Sequence, residues 1–390
     1  MRCANRFGPP VTSVVAQLRA ERLASAIQPN VALTIVELHL RGMQLPDREP
    51  VELWTDNGRI SFRPVADAQT LAPGGFVLPG LVDAHTHPGA PEPGHPLDEE
   101  VLRDDLLAHR DAGVTAVRVM GAPSRLPGWV AGAPDLPLVI SAGPWLSTPG
   151  LFFPDWGRVV AAEDLPDAAA EEAGAADGWV KLRGDWIVDE ETHAVPRLLA
   201  GDVLAAAVRR VHDAGARVAI HAMHAEACRR AVAAGVDSLE HGLWLDHGLL
   251  PRMAAQGTAL TPTYTPWAGQ LAGILGLRQP ARDWFLDGYA RLGPLTTAAH
   301  AAGVTLLAGT DFRPHGTIAA EVRHLAAGGL PPAVALGAAC WTARAFLGLP
   351  GLEDGAPADF VVYDRDPLAD LSVLGSPAHV VLNGRLTRVS

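Results

Sequence analysis

Two apolar periodicities take turns along the chain. Short β-rich runs stand at Leu81–Ala84, Thr115–Val119, Leu138–Ser141, Trp179–Leu182, Arg217–Ile220, Ser238–Leu239, Ala259–Leu260 and Val304–Ala308. Between and after them, apolar residues recur at three- and four-residue spacing, which predicts helices over Leu102–Ala112, Val203–Ala214, Ala225–Ala234, Leu249–Gln256, Leu292–Ala302, Ile318–Ala327 and Pro332–Leu347. Several helical runs close on Ala-Gly (Ala112-Gly113, Ala214-Gly215, Ala234-Gly235, Ala302-Gly303), as a left-handed C-terminal glycine does. Eight such units over residues 80–351 predict an α/β fold, a distorted (β/α)8 TIM barrel. A doubly wound sheet is the alternative. It is disfavoured because no Gly-rich dinucleotide turn follows an early strand.

The flanks read differently. Ala32–Leu40, Val51–Thr55 and Arg59–Arg63 are strand-like, with a turn at Asp56-Asn57-Gly58. Phe360–Tyr363 and Val380–Leu382 match them at the other end. Neither piece can bury a core alone, so residues 31–79 and 352–390 are expected to pair into a small β-sandwich domain. Residues 1–30 form an N-terminal arm, with helical spacing over Val14–Ile27.

Composition narrows the class. Of 390 residues, 48% are apolar and 19% charged, which excludes global disorder, and the net charge of −12 argues against nucleic acid or an anionic membrane as partner. No long apolar run or leader-like segment occurs in the sequence. Cys3, Cys228 and Cys340 are scattered and form no C-x-x-C. A cytoplasmic enzyme acting on a small molecule is expected, with homo-oligomerisation left open. No P-loop, G-x-S-x-G or EF-hand pattern is present.

Thirty of the 31 basic residues are Arg, and the only Lys is Lys181. A chain that uses Arg wherever Arg will serve keeps Lys where a deprotonatable amine is needed.

The chemistry gathers at strand ends. His85 and His87 face one way at the end of the first strand, and Lys181 lies on the fourth. His221 ends the fifth, His241 the sixth, and Asp311 follows the eighth. In a barrel these share one rim, and such a set suits divalent metal. A buried Lys beside cations loses its proton and can add CO₂, giving a carbamate able to bridge two metals; a cationic substrate clamp is the competing role.

Leu78-Pro79-Gly80-Leu81-Val82-Asp83-Ala84-His85-Thr86-His87 resembles the opening strand of the amidohydrolase superfamily. The run from His221-Ala222 to Leu239-Glu240-His241-Gly242 is similar to its imidazolonepropionase and Xaa-Pro dipeptidase (prolidase)-like branch. Gly309-Thr310-Asp311 and Gly355-Ala356-Pro357-Ala358-Asp359 resemble its last-strand and return motifs. The resemblance implies two divalent metal ions, Zn²⁺ by expectation. His85 and His87 would hold the more buried metal, and His221 and His241 the outer one. Lys181 would bridge as a carbamate, and Asp311 would ligate and act as catalytic proton shuttle to an activated hydroxide. The implied reaction is hydrolysis of a C–N bond in an N-acyl amino acid, a dipeptide-like compound or a cyclic amide. Decarboxylation or ester or lactone hydrolysis on the same site is the alternative enzyme reading, and a metal-stabilised binding scaffold the non-enzyme one. The chain departs from the branch at Thr148-Pro149-Gly150-Leu151-Phe152, which lacks a histidine, and at His221-Ala222-Met223-His224.

Trp145, Phe152, Phe153, Trp156, Trp186, Trp244, Tyr264, Trp267 and Phe312 stand in the expected loops and suggest a partly aromatic substrate. Arg183 and Arg313 are candidates for a substrate carboxylate, His315 is placed similarly, and Tyr264 could donate to an oxyanion. Asp83 shares the face of His85 and is expected to support it. His224 reads as a helix-start residue. His39, His95, His109, His212 and His379 have no placement suggesting function.

Overall fold

The computed structural model describes residues 37–92, 94–153, 156–186 and 197–389. The expected arm over 1–30, its helical stretch, Cys3 and the start of the first predicted strand lie outside the described residues.

Parallel strands build the core. Leu81–Thr86, Val114–Val119 and Leu138–Ser141 pair side by side. Trp179–Arg183, Arg217–Ala222, Ser238–His241 and Ala259–Thr261 form a second parallel run. Leu146–Ser147 extends the second run by pairing with Trp179–Arg183, and the bridge between Ala122 and Pro144 ties it to the first. The eighth position is an extended segment held by bridges at Leu306 and Asp311. Leu260 N–H donates to Thr305 and Ala84 N–H to Ala308, which closes the ring between the seventh and first strands. The first, second and fourth strands are buried at every residue, as expected of parallel strands covered on both faces.

Helices pack outside. Glu99–Asp111 starts on an Asp98 cap that accepts from Glu100 and Val101 N–H, with Glu99 and Glu100 in its first turn. Leu165–Ala173 and Tyr264–Leu275 were not predicted. The helix expected at Leu292–Ala302 begins at Ala281 and carries Pro294 inside it. The Pro332–Leu347 run is broken into Pro332–Gly337 and Trp341–Leu347, because Cys340 leaves helical backbone at φ −140°.

Both chain ends meet in one mixed sheet. Phe360–Tyr363 pairs antiparallel with Phe76–Pro79 on one side and His379–Leu382 on the other. Leu38–Gln44 pairs with Phe76–Pro79, Gln69–Ala72 and Glu49–Asp56. Ile60 N–H donates to Ala356 and Ala358 N–H to Gly58, so the sheet curls back toward its own other half. Leu40, Leu53, Ile60, Val77, Phe360, Val362 and Val381 form the apolar cluster within it. Phe76–Pro79 runs directly into the first barrel strand.

Candidate metal centre

His85 and His87 are carried on a strand whose end is stitched to the eighth segment. Asp311 N–H donates to the His85 carbonyl at 2.6 Å. Asp83 accepts from His85 N–H, Thr310 N–H and Thr310 Oγ1, at 3.2, 3.1 and 2.5 Å. Burial pushes the Asp83 carboxyl up to about 7. Gly309 is needed here, since a Cβ on it would stand 2.5 Å from the Cβ of His85.

The imidazole protons are fixed by their partners. His87 Nδ1 lies 2.8 Å from the Gly121 carbonyl, which can only accept, so Nδ1–H donates. His85 Nδ1 donates to Glu240 Oε2 at 2.6 Å. Burial, with Lys181 nearby, lowers His85 to about 4, so its ring is neutral. Both Nε2 atoms therefore present lone pairs. They face each other at 3.1 Å, and Asp311 Oδ1 lies 3.1 Å from His87 Nε2 and 3.5 Å from His85 Nε2. Three electron-rich atoms converge with no proton between them, an arrangement that a cation stabilises. Among the described residues these three side chains form one cluster able to hold a metal ion.

The other strand-end residues surround this cluster. His241 lies 5.2 Å from His85 and 4.5 Å from His221, ring centre to ring centre, and its Nδ1 bonds Thr263 Oγ1 at 2.8 Å. Neither ring nitrogen of His221 has a hydrogen-bond partner, and both are buried. Lys181 is 1% exposed and its Nζ is likewise without a partner. Burial lowers it to about 7, with nearby Arg183 and Arg118 adding to the effect and Glu240 and Asp311 opposing it. Burial thus favours the neutral amine.

Backbone strain gathers at the same rim. His241, Thr263 and Asp311, ending three successive barrel positions, hold φ of 73°, 51° and 61°. Left-handed backbone in non-glycine residues costs about 1–2 kcal/mol each. It turns these residues out of strand alternation toward the centre.

Glu240, Arg118 and Asp185 were missed in the sequence. Glu240 accepts from His85, from Arg118 Nη2 at 3.0 Å and from Ser238 Oγ at 2.6 Å, with all four side chains buried. Burial opposes its ionisation, but Arg118, His85 and Lys181 hold its carboxyl well below the usual range. Arg118 in turn donates to the Ala84 carbonyl and lies 4.5 Å over Trp179. Glu240→Gln is expected to weaken metal binding by about 10–100-fold, as losses behind a ligating His do. Chelator competition measures it, with circular dichroism as the folding control; unchanged affinity would sink the role.

Two expected substrate contacts, Tyr264 and Arg313, have partners within the chain. Tyr264 opens a helix and points away: its OH donates to Thr296 Oγ1 at 3.1 Å, because that hydroxyl already donates to Leu292 and Gly293 carbonyls. Tyr264→Phe should leave turnover intact and lower unfolding free energy by about 0.5–1.5 kcal/mol, one buried hydrogen bond. Arg313 is paired, its Nη1 lying 2.7 and 2.8 Å from the two oxygens of Asp105. His315 Nδ1 and His109 Nε2 share Thr86 Oγ1, at 3.1 and 3.2 Å, so both back the first strand. His109 thus has a placement the sequence did not suggest. The buried thiols fit inert core positions, with burial pushing Cys340 up to about 12 and Cys228 well above its usual range. No helix among the described residues is long and apolar enough to cross a membrane.

The Amidohydrolase family pattern matches residues 76–387. An uncharacterized protein of Mycobacterium tuberculosis (strain ATCC 25618 / H37Rv) is 42% identical over 367 residues, covering 90% of this chain and 95% of its own. A Xaa-Pro dipeptidase crystallised with methionine in its active site superposes with a TM-score of 0.78 at 22% identity, over 90% of this chain and 100% of that one. Ochratoxinase of A. niger superposes with a TM-score of 0.75 at 19% identity, over 91% and 96%. Both solved structures share the fold.

Proposed function

The chain belongs to the amidohydrolase family, and from that premise we propose that it hydrolyses an amide or related C–N bond of a small, partly apolar substrate with two divalent metals, zinc by our reading. His85 and His87 would hold one metal, His221 and His241 the other, and Asp311 would ligate beside His87. Lys181 would complete the set: its amine, when neutral, would add CO₂ with release of one proton, and the resulting carbamate would supply a further anionic ligand. The observation that carries the reading is the meeting of two imidazole nitrogens and a carboxylate oxygen within 3.5 Å, with a buried, unpartnered amine behind them. A metal bound there supplies Lewis acidity and lowers the pKa of a water from about 15.7 towards about 7.

The chain's own groups then move the proton. With the surrounding imidazoles neutral, a divalent cation held beside it would keep the Asp311 carboxyl ionised. It is therefore an acceptor at neutral pH. Asp311 takes the proton of the attacking water and returns it to the leaving nitrogen, so the amine departs neutral. Glu240 and the Gly121 carbonyl keep the two imidazoles in the tautomer this requires. A Xaa-Pro dipeptidase among the fold neighbours supports a small C–N substrate.

Elemental analysis with an amine-release panel tests the proposal. Near two zinc per chain and release from N-acyl amino acids, dipeptides or cyclic amides are expected. A metal-loaded protein that releases amine from none of them overturns it.

A further inference from the structure

The C–N hydrolase reading leaves one buried cation unused. Arg183 ends the fourth barrel strand, in register with His221. It is 6% exposed, and neither Nε nor Nη2 has a hydrogen-bond partner. Its guanidinium lies 4.2 Å over the Phe152 ring and 4.7 Å over the Trp186 ring. Trp145 continues this wall, 5.2 Å from Phe152 and 4.9 Å from His87. At the other side, Trp186 stands 6.3 Å from His221. One aromatic wall thus joins the metal-facing histidines to the guanidinium.

Asp185, two residues on, favours the charge on Arg183 but takes no hydrogen bond from it. Asp185 Oδ2 accepts from Met223 and His224 N–H at 2.8 and 2.7 Å, and Oδ1 lies 3.2 Å from His221 Nε2. The rings attract the cation through their faces but take none of the in-plane donors of the fork. Asp185 and Asp311 act on the guanidinium only through space, and a buried fork with unpaired donors is costly; its planar donors match a carboxylate two at a time.

We propose, resting on the hydrolase reading, that Arg183 is the specificity-determining anchor for a carboxylate on the substrate. The substrate class narrows to N-acyl amino acids and dipeptides with a free acid, their flat or apolar flank lying along Trp145, Phe152 and Trp186. Cyclic amides and other uncharged amides are poor substrates.

Paired probes decide it with the metal-loaded full chain. N-acetylphenylalanine is expected to exceed its carboxamide in kcat/KM by about 30-fold or more, mostly through KM, the size of losing one partner of a buried charge pair. In Arg183→Met this ratio falls toward parity. Arg183→Lys, which keeps charge without the fork, retains part of it. Calorimetric binding of hydrocinnamate against hydrocinnamide reads the same anchor without turnover, and only the acid should lose affinity in Arg183→Met. If no amide is cleaved, the hydrolase reading fails while calorimetry still judges Arg183. Equal handling of acid and amide by the wild type, or acid preference surviving in folded Arg183→Met, overturns the anchor.

Discussion

Lys181→Arg should lose turnover by on the order of a thousandfold or more, the equivalent of several kcal/mol of metal-borne charge stabilisation at about 1.4 kcal/mol per decade. The substitution keeps a long apolar stem with a nitrogen-bearing head. It removes the one property that separates the two side chains here, because a guanidinium is never neutral in a protein and cannot add CO₂. Lys181 sits in the middle of a buried strand, paired with Ala219, so no alternative amine can reach the place. Three readouts go together: kcat, metal per chain, and rescue. Lys181→Ala leaves room for a small carboxylate, so propionate should restore part of its activity, whereas Lys181→Arg should not respond. Isotope-labelled bicarbonate should give a carbamate carbonyl signal in the wild type that both variants lack. A Lys181→Arg enzyme with near-normal turnover would falsify the carbamate.

Asp311→Asn should lower turnover by about 10²–10⁴-fold, the range for removal of a general base, with metal still bound. The side chain's place makes this a clean test. Asp311 holds φ of 61°, and Asn is among the few residues that adopt left-handed backbone readily. The variant keeps the backbone, the volume and one oxygen, and loses only the charge that accepts a proton. Alanine there would add strain and confuse the result. Elemental analysis and thermal unfolding should match the wild type closely; metal loss equal to the activity loss would mean that Asp311 acts as ligand alone.

Strand ends were legible because parallel strands bury both faces. A His or Asp at the end of such a run has few reasons to be there other than the rim. That logic singled out His85, His87, Lys181, His221, His241 and Asp311, of which His85, His87 and Asp311 meet in one candidate metal cluster. It did not find Glu240, which in sequence is merely the neighbour of His241. Its role depends on Arg118 and His85, more than a hundred residues away, and on the left-handed turn at His241 that separates the two side chains. No periodicity announces such a turn in a residue other than glycine. The partners of Tyr264 and Arg313 were hidden for a related reason. Both follow rim strands, but one opens a helix that faces Thr296 and the other meets Asp105 on the first helix. Position along the chain says which end of the barrel a residue occupies, and pairing partners decide which way it faces.

The edge shared by Phe76–Pro79 and Phe360–Tyr363 carries a cost in time. The first of these leads straight into the strand bearing His85 and His87, yet its partner is synthesised about 280 residues later. At about 5–20 residues per second that is a delay of roughly 14–56 s on the ribosome. Throughout that interval the opening β-segment has an unpaired, aggregation-prone flank, so a nascent chain that stalls before its final fifty residues is a substrate for holdase chaperones. The metal loading proposed for the rim would accordingly be an event of the released polypeptide.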